Sequence, residues 1–206
     1  ESVKTETPYA DALALADELR ARLAPACARI EIAGSLRRQS ATVGDIELVA
    51  IPRVTFDVNL FGEPVGEPQS AVDAALVDIV GPPDSWRWSK NGPAYKQFMY
   101  GPLEVDLFLV HPETWGIQFM IRTGNAEFSH WMVSQRKIGG ALPSDLRVHE
   151  ARLWRAGIAL PTPEEADVFR AIGLPYVPPP ARSARGWFMR GQAMALEAAG
   201  GVHAAS

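Results

Sequence analysis

Between residues 44 and 51 two acids interrupt an otherwise apolar run, Gly44-Asp45-Ile46-Glu47-Leu48-Val49-Ala50-Ile51. A strand sends successive side chains to opposite faces, so Asp45 and Glu47 share one face while Ile46 and Leu48 pack on the other. The two carboxylates are either an exposed polar strand face or a pair of oxygen ligands for a hard cation such as Mg²⁺ or Mn²⁺. A second segment, Leu103-Glu104-Val105-Asp106-Leu107-Phe108-Leu109-Val110, again sets acids among Leu, Val and Phe. An ionised carboxylate in such a strand is costly unless it is hydrogen-bonded, paired, metal-bound or able to reach solvent.

Helices must cover the apolar faces of these strands. Leu13, Ala16, Leu19 and Leu23 recur at helical spacing among charged residues, which predicts a helix over 9–23 ended by Pro25. Residues 71–80 read as a second helix closed by Pro82-Pro83, and 29–33 as a half-buried strand. Gly101-Pro102 joins strands over 95–100 and 103–110 as a hairpin, while the Gly- and Pro-rich stretch 52–68 reads as a surface excursion. Beyond His111-Pro112 helical patterns are expected over 126–135 and 144–153, and a capped helix from Thr162 with Pro163 at its first position. Pro178 to Pro180 opens an extended tail with a last helical stretch over 186–199. Cys27, the single cysteine, lies in an apolar stretch and reads as a buried structural thiol.

Upstream of the acidic strand, Gly34-Ser35-Leu36-Arg37-Arg38 follows the strand over 29–33. A strand running into Gly-Ser and a helical turn presents backbone N–H groups and a hydroxyl, and the arginines add cationic donors, a combination suited to an anion. The arginines alone fit a solvated surface pair equally well.

Gly34-Ser35-Leu36-Arg37-Arg38, then Gly44-Asp45-Ile46-Glu47, then Asp106, in this order and spacing, resemble the family X DNA polymerases of the DNA polymerase beta-like nucleotidyltransferase superfamily. Arg122-Thr123-Gly124-Asn125 resembles the family's Thr-Gly turn, and the stretches 164–169 and 174–179 resemble its closing segment. Glu47 departs from the family's usual Asp, and Ile121-Arg122 from its usual aromatic pair. The resemblance implies an α/β (α+β) fold. A nucleotidyltransferase palm over 1–112, with a mixed, mainly antiparallel sheet flanked by helices, would be followed by a small C-terminal α/β thumb over 113–206.

It further implies Asp45, Glu47 and Asp106 as catalytic residues holding two Mg²⁺ or Mn²⁺ ions, with Asp106 taking the proton of the attacking hydroxyl. Gly34, Ser35, Arg38, Gly44, Thr123, Gly124 and Asn125 would contact the nucleotide, with Arg37 in support. The implied activity is a DNA polymerase adding nucleoside monophosphates from dNTPs to a primer 3′-hydroxyl with release of pyrophosphate, as in short-gap repair. A nucleotidyltransferase acting on RNA, protein or a small molecule shares the same palm chemistry. A binding protein with a degenerate site is the third reading, against which the intact acid set and turn argue.

Composition limits partners more than chemistry. The net charge of −4 excludes a uniformly basic nucleic-acid binder, yet the excess is uneven. Residues 1–112 carry 10 basic against 16 acidic residues, a net of −6, and residues 113–206 carry 10 against 8, a net of +2. Arg136, Lys137, Arg147, Arg152 and Arg155 could meet a nucleic-acid backbone or line a solvated face. Trp115, Trp131 and Trp154 suit core packing better than base stacking. No apolar run approaches the roughly 20 residues of a membrane helix. The expected partners are a nucleoside triphosphate and a DNA primer-template, with no membrane, for a monomer in the cytoplasm. Beginning at Glu1 without a methionine, the sequence reads as part of a longer protein.

Overall fold

The computed structural model describes residues 6–61 and 63–183; these fall into two compact units, one drawn from residues 6–36 and 40–110 and the other from residues 37–39 and 111–183. The elements in chain order begin with β1 (Thr7–Pro8), α1 (Tyr9–Leu23), β2 (Cys27–Ile32), α2 (Gly34–Arg37), β3 (Thr42–Val43), β4 (Asp45–Pro52), β5 (Val54–Val58) and β6 (Pro64–Ser70). They continue with α3 (Ala71–Val80), β7 (Trp88–Asn91), β8 (Tyr95–Tyr100), β9 (Leu103–Leu109), α4 (Trp115–Thr123) and α5 (Ala126–Val133). The last are β10 (Leu146–His149), β11 (Arg152–Arg155), β12 (Ile158–Leu160) and α6 (Glu165–Ile172).

The first unit is built on a five-stranded sheet ordered β2-β4-β9-β8-β7. Only β4 and β9 run parallel; the other three pairings are antiparallel. Ile46 and Leu48 of β4, Val105 and Leu107 of β9 and Phe98 of β8 are almost wholly buried on one face. Ala12, Ala16, Leu19 and Leu23 of α1 and Val72, Leu76 and Val80 of α3 complete that core. Each buried leucine contributes about 1.5–3 kcal/mol by leaving water, so the two helices are fixed to this face. Cys27 lies in the same core, and burial pushes its thiol up to about 11, outside the reactive range. The excursion over 52–68 contains β5 and β6, an antiparallel pair separate from the main sheet, whose Val54, Phe56, Leu60 and Phe61 are exposed.

The second unit has its own core of Ile117, Met120, Phe128, Trp131, Met132, Leu146, Leu153, Val168 and Phe169. Trp115 and Trp131 are buried, as core packing requires, while Trp154 is half-buried and donates its indole N–H to the His149 carbonyl at 3.0 Å. The structure corrects the helix expected over 144–153, which is instead the antiparallel pair β10 and β11, extended by β12. It also shifts the start of the helix expected at Thr162. Thr162 is extended and buried, its N–H donating to the Glu113 carbonyl at 2.7 Å and its carbonyl accepting from Gly116 at 2.6 Å. The cap falls on Glu164, whose side chain accepts from the Asp167 backbone while Asp167 accepts from the Glu164 N–H at 2.9 Å. The helical stretch expected over 186–199 lies outside the described residues. Among the described residues no helix is long and apolar enough to cross a membrane.

Candidate functional site

The sheet face opposite the helices is acidic. In the parallel pairing of β4 with β9, Asp45 stands beside Glu104 and Glu47 beside Asp106. Paired residues of adjacent strands project to the same side, so four carboxylates gather on two neighbouring strands. Asp45, Glu47 and Asp106 are all half-buried there. Like charges set directly opposite each other cost stability unless something of opposite charge or a set of donors compensates. Carboxylate oxygens are the donors a hard divalent cation takes.

Asp106 is compensated from the neighbouring strand. Its Oδ1 accepts from the Tyr95 hydroxyl at 2.5 Å and from the Gln97 side-chain amide at 3.0 Å. Glu47 leans the other way. Its carboxylate lies over Gly34, where an added Cβ would sit 1.9 Å from Oε2. Gly34 also holds φ +60°, a conformation that glycine adopts without strain. The turn after β2 is thus shaped to receive the Glu47 side chain. Beside it the Ser35 hydroxyl is buried with no hydrogen-bond partner among the described residues. Gly44 is half-buried in the bend that leads into β4.

The structure therefore brings Gly34 next to Glu47, and sets Asp45, Glu47 and Asp106 on one sheet face, with Glu47 and Asp106 directly opposed. It does not converge the acids on a point: among the described residues no three Asp, Glu, His or Cys side chains stand close enough to hold a metal ion. Asp106 is drawn toward β8 and Glu47 toward the turn. Donor type, in-register pairing and the unpartnered Ser35 hydroxyl fit Mg²⁺ or Mn²⁺ with a phosphate. A closed ligand set requires these side chains to turn.

The remaining expected site residues lie in the second unit with structural partners of their own. Arg38 donates to the Thr123 carbonyl at 2.8 Å. Thr123 is fully buried, its Oγ1 accepting from Arg37 at 2.7 Å. The Asn125 side chain caps α5 by accepting from the Phe128 N–H at 2.8 Å. Gly124 is needed for packing, since a Cβ there would meet Phe128 and Ser129 side-chain atoms at 2.5 Å.

Sequence reasoning missed what anchors Arg37. It lies 3.8 Å over the Phe119 ring and makes a two-pronged contact with Glu165, at 2.7 and 2.8 Å. Glu165 also takes Arg182 at 2.7 and 3.3 Å and the Tyr176 hydroxyl at 2.9 Å. Burial alone would push the Glu165 carboxyl up, but the hydrogen bonds and charges of Arg37 and Arg182 together hold it below the ordinary carboxylate value. Burial, then the charge of Glu165, raise Tyr176. No local motif marks this network, because its members lie far apart in the chain.

Residues 119–183 match the family described as DNA polymerase beta thumb. No curated protein matches the chain. Among solved structures, polymerase beta of Leishmania infantum, determined as a ternary P/T complex, is similar in fold. The match has a TM-score of 0.63 at 18% identity and covers 88% of this chain and 78% of that one. In fold the chain resembles polymerase beta, and over residues 119–183 its sequence resembles the DNA polymerase beta thumb.

Proposed function

We propose that this chain is a divalent-metal-dependent nucleotidyltransferase of the polymerase type, adding nucleoside monophosphates from dNTPs to the 3′-hydroxyl of a DNA primer with release of pyrophosphate. The observation that carries this reading is the in-register pairing of Glu47 with Asp106, flanked by Asp45 and by a glycine turn whose serine hydroxyl is buried and unpartnered. The thumb match and the DNA-handling neighbour support nucleic acid as the acceptor.

In this reading Asp45, Glu47 and Asp106 would hold two Mg²⁺ or Mn²⁺ ions, which when bound would lower the pKa of the attacking hydroxyl and neutralise charge on the triphosphate. The chain's own groups orient the reactants. Ser35 donates its hydroxyl to a phosphate oxygen, the Gly34 and Gly44 backbones contact the nucleotide, and Asp106 accepts the proton from the primer hydroxyl. Arg38, Thr123, Gly124 and Asn125 remain proposed nucleotide contacts alongside the packing roles they already have. Short-gap repair is the proposed setting.

The test is extension of a labelled primer on gapped DNA, with each nucleotide supplied separately and Mg²⁺ or Mn²⁺ present. Addition of only the complementary deoxynucleotide is expected. Addition without regard to template would indicate a terminal transferase. No addition to any DNA would overturn the polymerase reading and leave RNA, protein or small-molecule acceptors for the same chemistry.

Gly34→Ala tests the turn. The new Cβ occupies the place of the Glu47 carboxylate, and an L-residue at φ +60° is strained by about 1–2 kcal/mol. Unfolding in urea should register that loss. Displacing Glu47 by an ångström or more should slow addition by about 10–100-fold. A variant that loses stability but keeps its rate would remove Glu47 from the working set.

A further inference from the structure

We infer that Tyr95 and Gln97 are positioning residues for Asp106, and that they restrict its action to a single carboxylate oxygen. The inference rests on the proposed role of Asp106 and adds what directs it. In the sheet, Asp106 stands between two registered neighbours, Glu47 on β4 and Gln97 on β8. Tyr95 is two residues before Gln97 on the same strand, and therefore on the same face. From the β4 side a like charge pushes the Asp106 carboxylate away. From the β8 side two donors converge on one atom, the Tyr95 hydroxyl at 2.5 Å and the Gln97 amide at 3.0 Å, both on Oδ1.

Two hydrogen bonds occupy the two lone pairs of Oδ1. That leaves Oδ2 as the oxygen able to meet a cation or receive a hydroxyl proton. The anchor holds the carboxylate on the β8 side of the strand, away from Glu47: without it the Asp106 side-chain torsions are free to carry the carboxylate to other positions. Tyr95 is itself held. Its ring stacks on Phe108 with centroids 5.0 Å apart, and the Lys90 ammonium lies 5.2 Å from its centroid. Phe108 is two residues beyond Asp106 on β9, so the strand that carries the acid also fixes the ring that orients it.

The test compares Tyr95→Phe, Gln97→Leu and the double variant with Asp106→Asn. Two readouts are taken: single-nucleotide addition, and Mn²⁺ affinity of the protein without nucleotide, by electron paramagnetic resonance. Tyr95→Phe keeps the stacked ring and removes only the donor, so thermal melting should fall by no more than the loss of one hydrogen bond to a carboxylate explains. Removing partners that orient a ligand typically costs about 10–100-fold. The maximal rate should fall about 10-fold in each single variant and about 100-fold in the double. The Michaelis constant for the triphosphate should stay within about twofold, and Mn²⁺ affinity should fall several-fold. Wild-type rate and Mn²⁺ affinity in the double variant, with Asp106→Asn inactive, would overturn the positioning role and leave the polymerase reading standing. Wild-type behaviour in Asp106→Asn would overturn both.

Discussion

Asp106→Asn is expected to slow nucleotide addition by on the order of 10³-fold or more while leaving the fold intact. The size follows from the role proposed for this carboxylate. A ligand and proton acceptor that acts on charge developing in the transition state contributes several kcal/mol there, and each 1.36 kcal/mol is a factor of ten in rate. The fold should survive because asparagine keeps an oxygen that accepts from Tyr95 and Gln97. It also removes one of two like charges opposed across β4 and β9, a pairing that costs roughly 0.2–1 kcal/mol. Single-turnover incorporation and thermal melting should therefore diverge, with the rate collapsing and the melting temperature holding or rising. A rate within tenfold of wild type would mean that Asp106 serves the sheet and not the reaction.

That divergence marks which features of this chain can be read from its residues. Alternating acids and aliphatics placed Asp45 and Glu47 on one face of a strand, and the helices over Tyr9–Leu23 and Ala71–Val80 announced themselves by apolar spacing and terminal prolines. All are local signals. The partner of each strand is not local: nothing within 44–51 or 103–110 states that β4 and β9 run parallel with Glu47 beside Asp106. The hairpin of β10 and β11 escaped notice for another reason. Its turn falls on Glu150 and Ala151, both at positive φ, 47° and 60°, where Asn-Gly would have given the usual signal. Helix α4 has seven of its nine residues buried and a single charged residue, Arg122, so no charged stripe marks it. Arg37 misled through its neighbours. Beside Ser35 it looks like a phosphate donor, yet it belongs with residues 111–183, and what holds it is a glutamate far along the chain.

That glutamate carries the largest expected effect on stability. Glu165 is 6% exposed and Arg182 1%, with the Arg182 guanidinium set among the rings of Phe128, Phe169 and Tyr176 at 5.4–5.6 Å. Glu165→Gln removes the only negative charge that contacts either Arg37 or Arg182 among the described residues and leaves a buried guanidinium uncompensated, which costs about 3–5 kcal/mol. Replacing Arg182 by methionine in the same protein should recover part of the loss, because a thioether suits an aromatic surround and no longer needs an anion. The pH dependence follows from the lowered carboxyl. A group held below its ordinary value when folded contributes stability that is complete above the unfolded value of about 4.3 and is lost as pH falls through the folded one. Wild-type melting temperature should therefore fall on acidification below that value. The Gln variant should start lower at neutral pH and show a shallower acid slope. Equal slopes in the two proteins, or a neutral-pH loss under about 1 kcal/mol, would show that the two arginines are held by their aromatic and carbonyl partners without the acid.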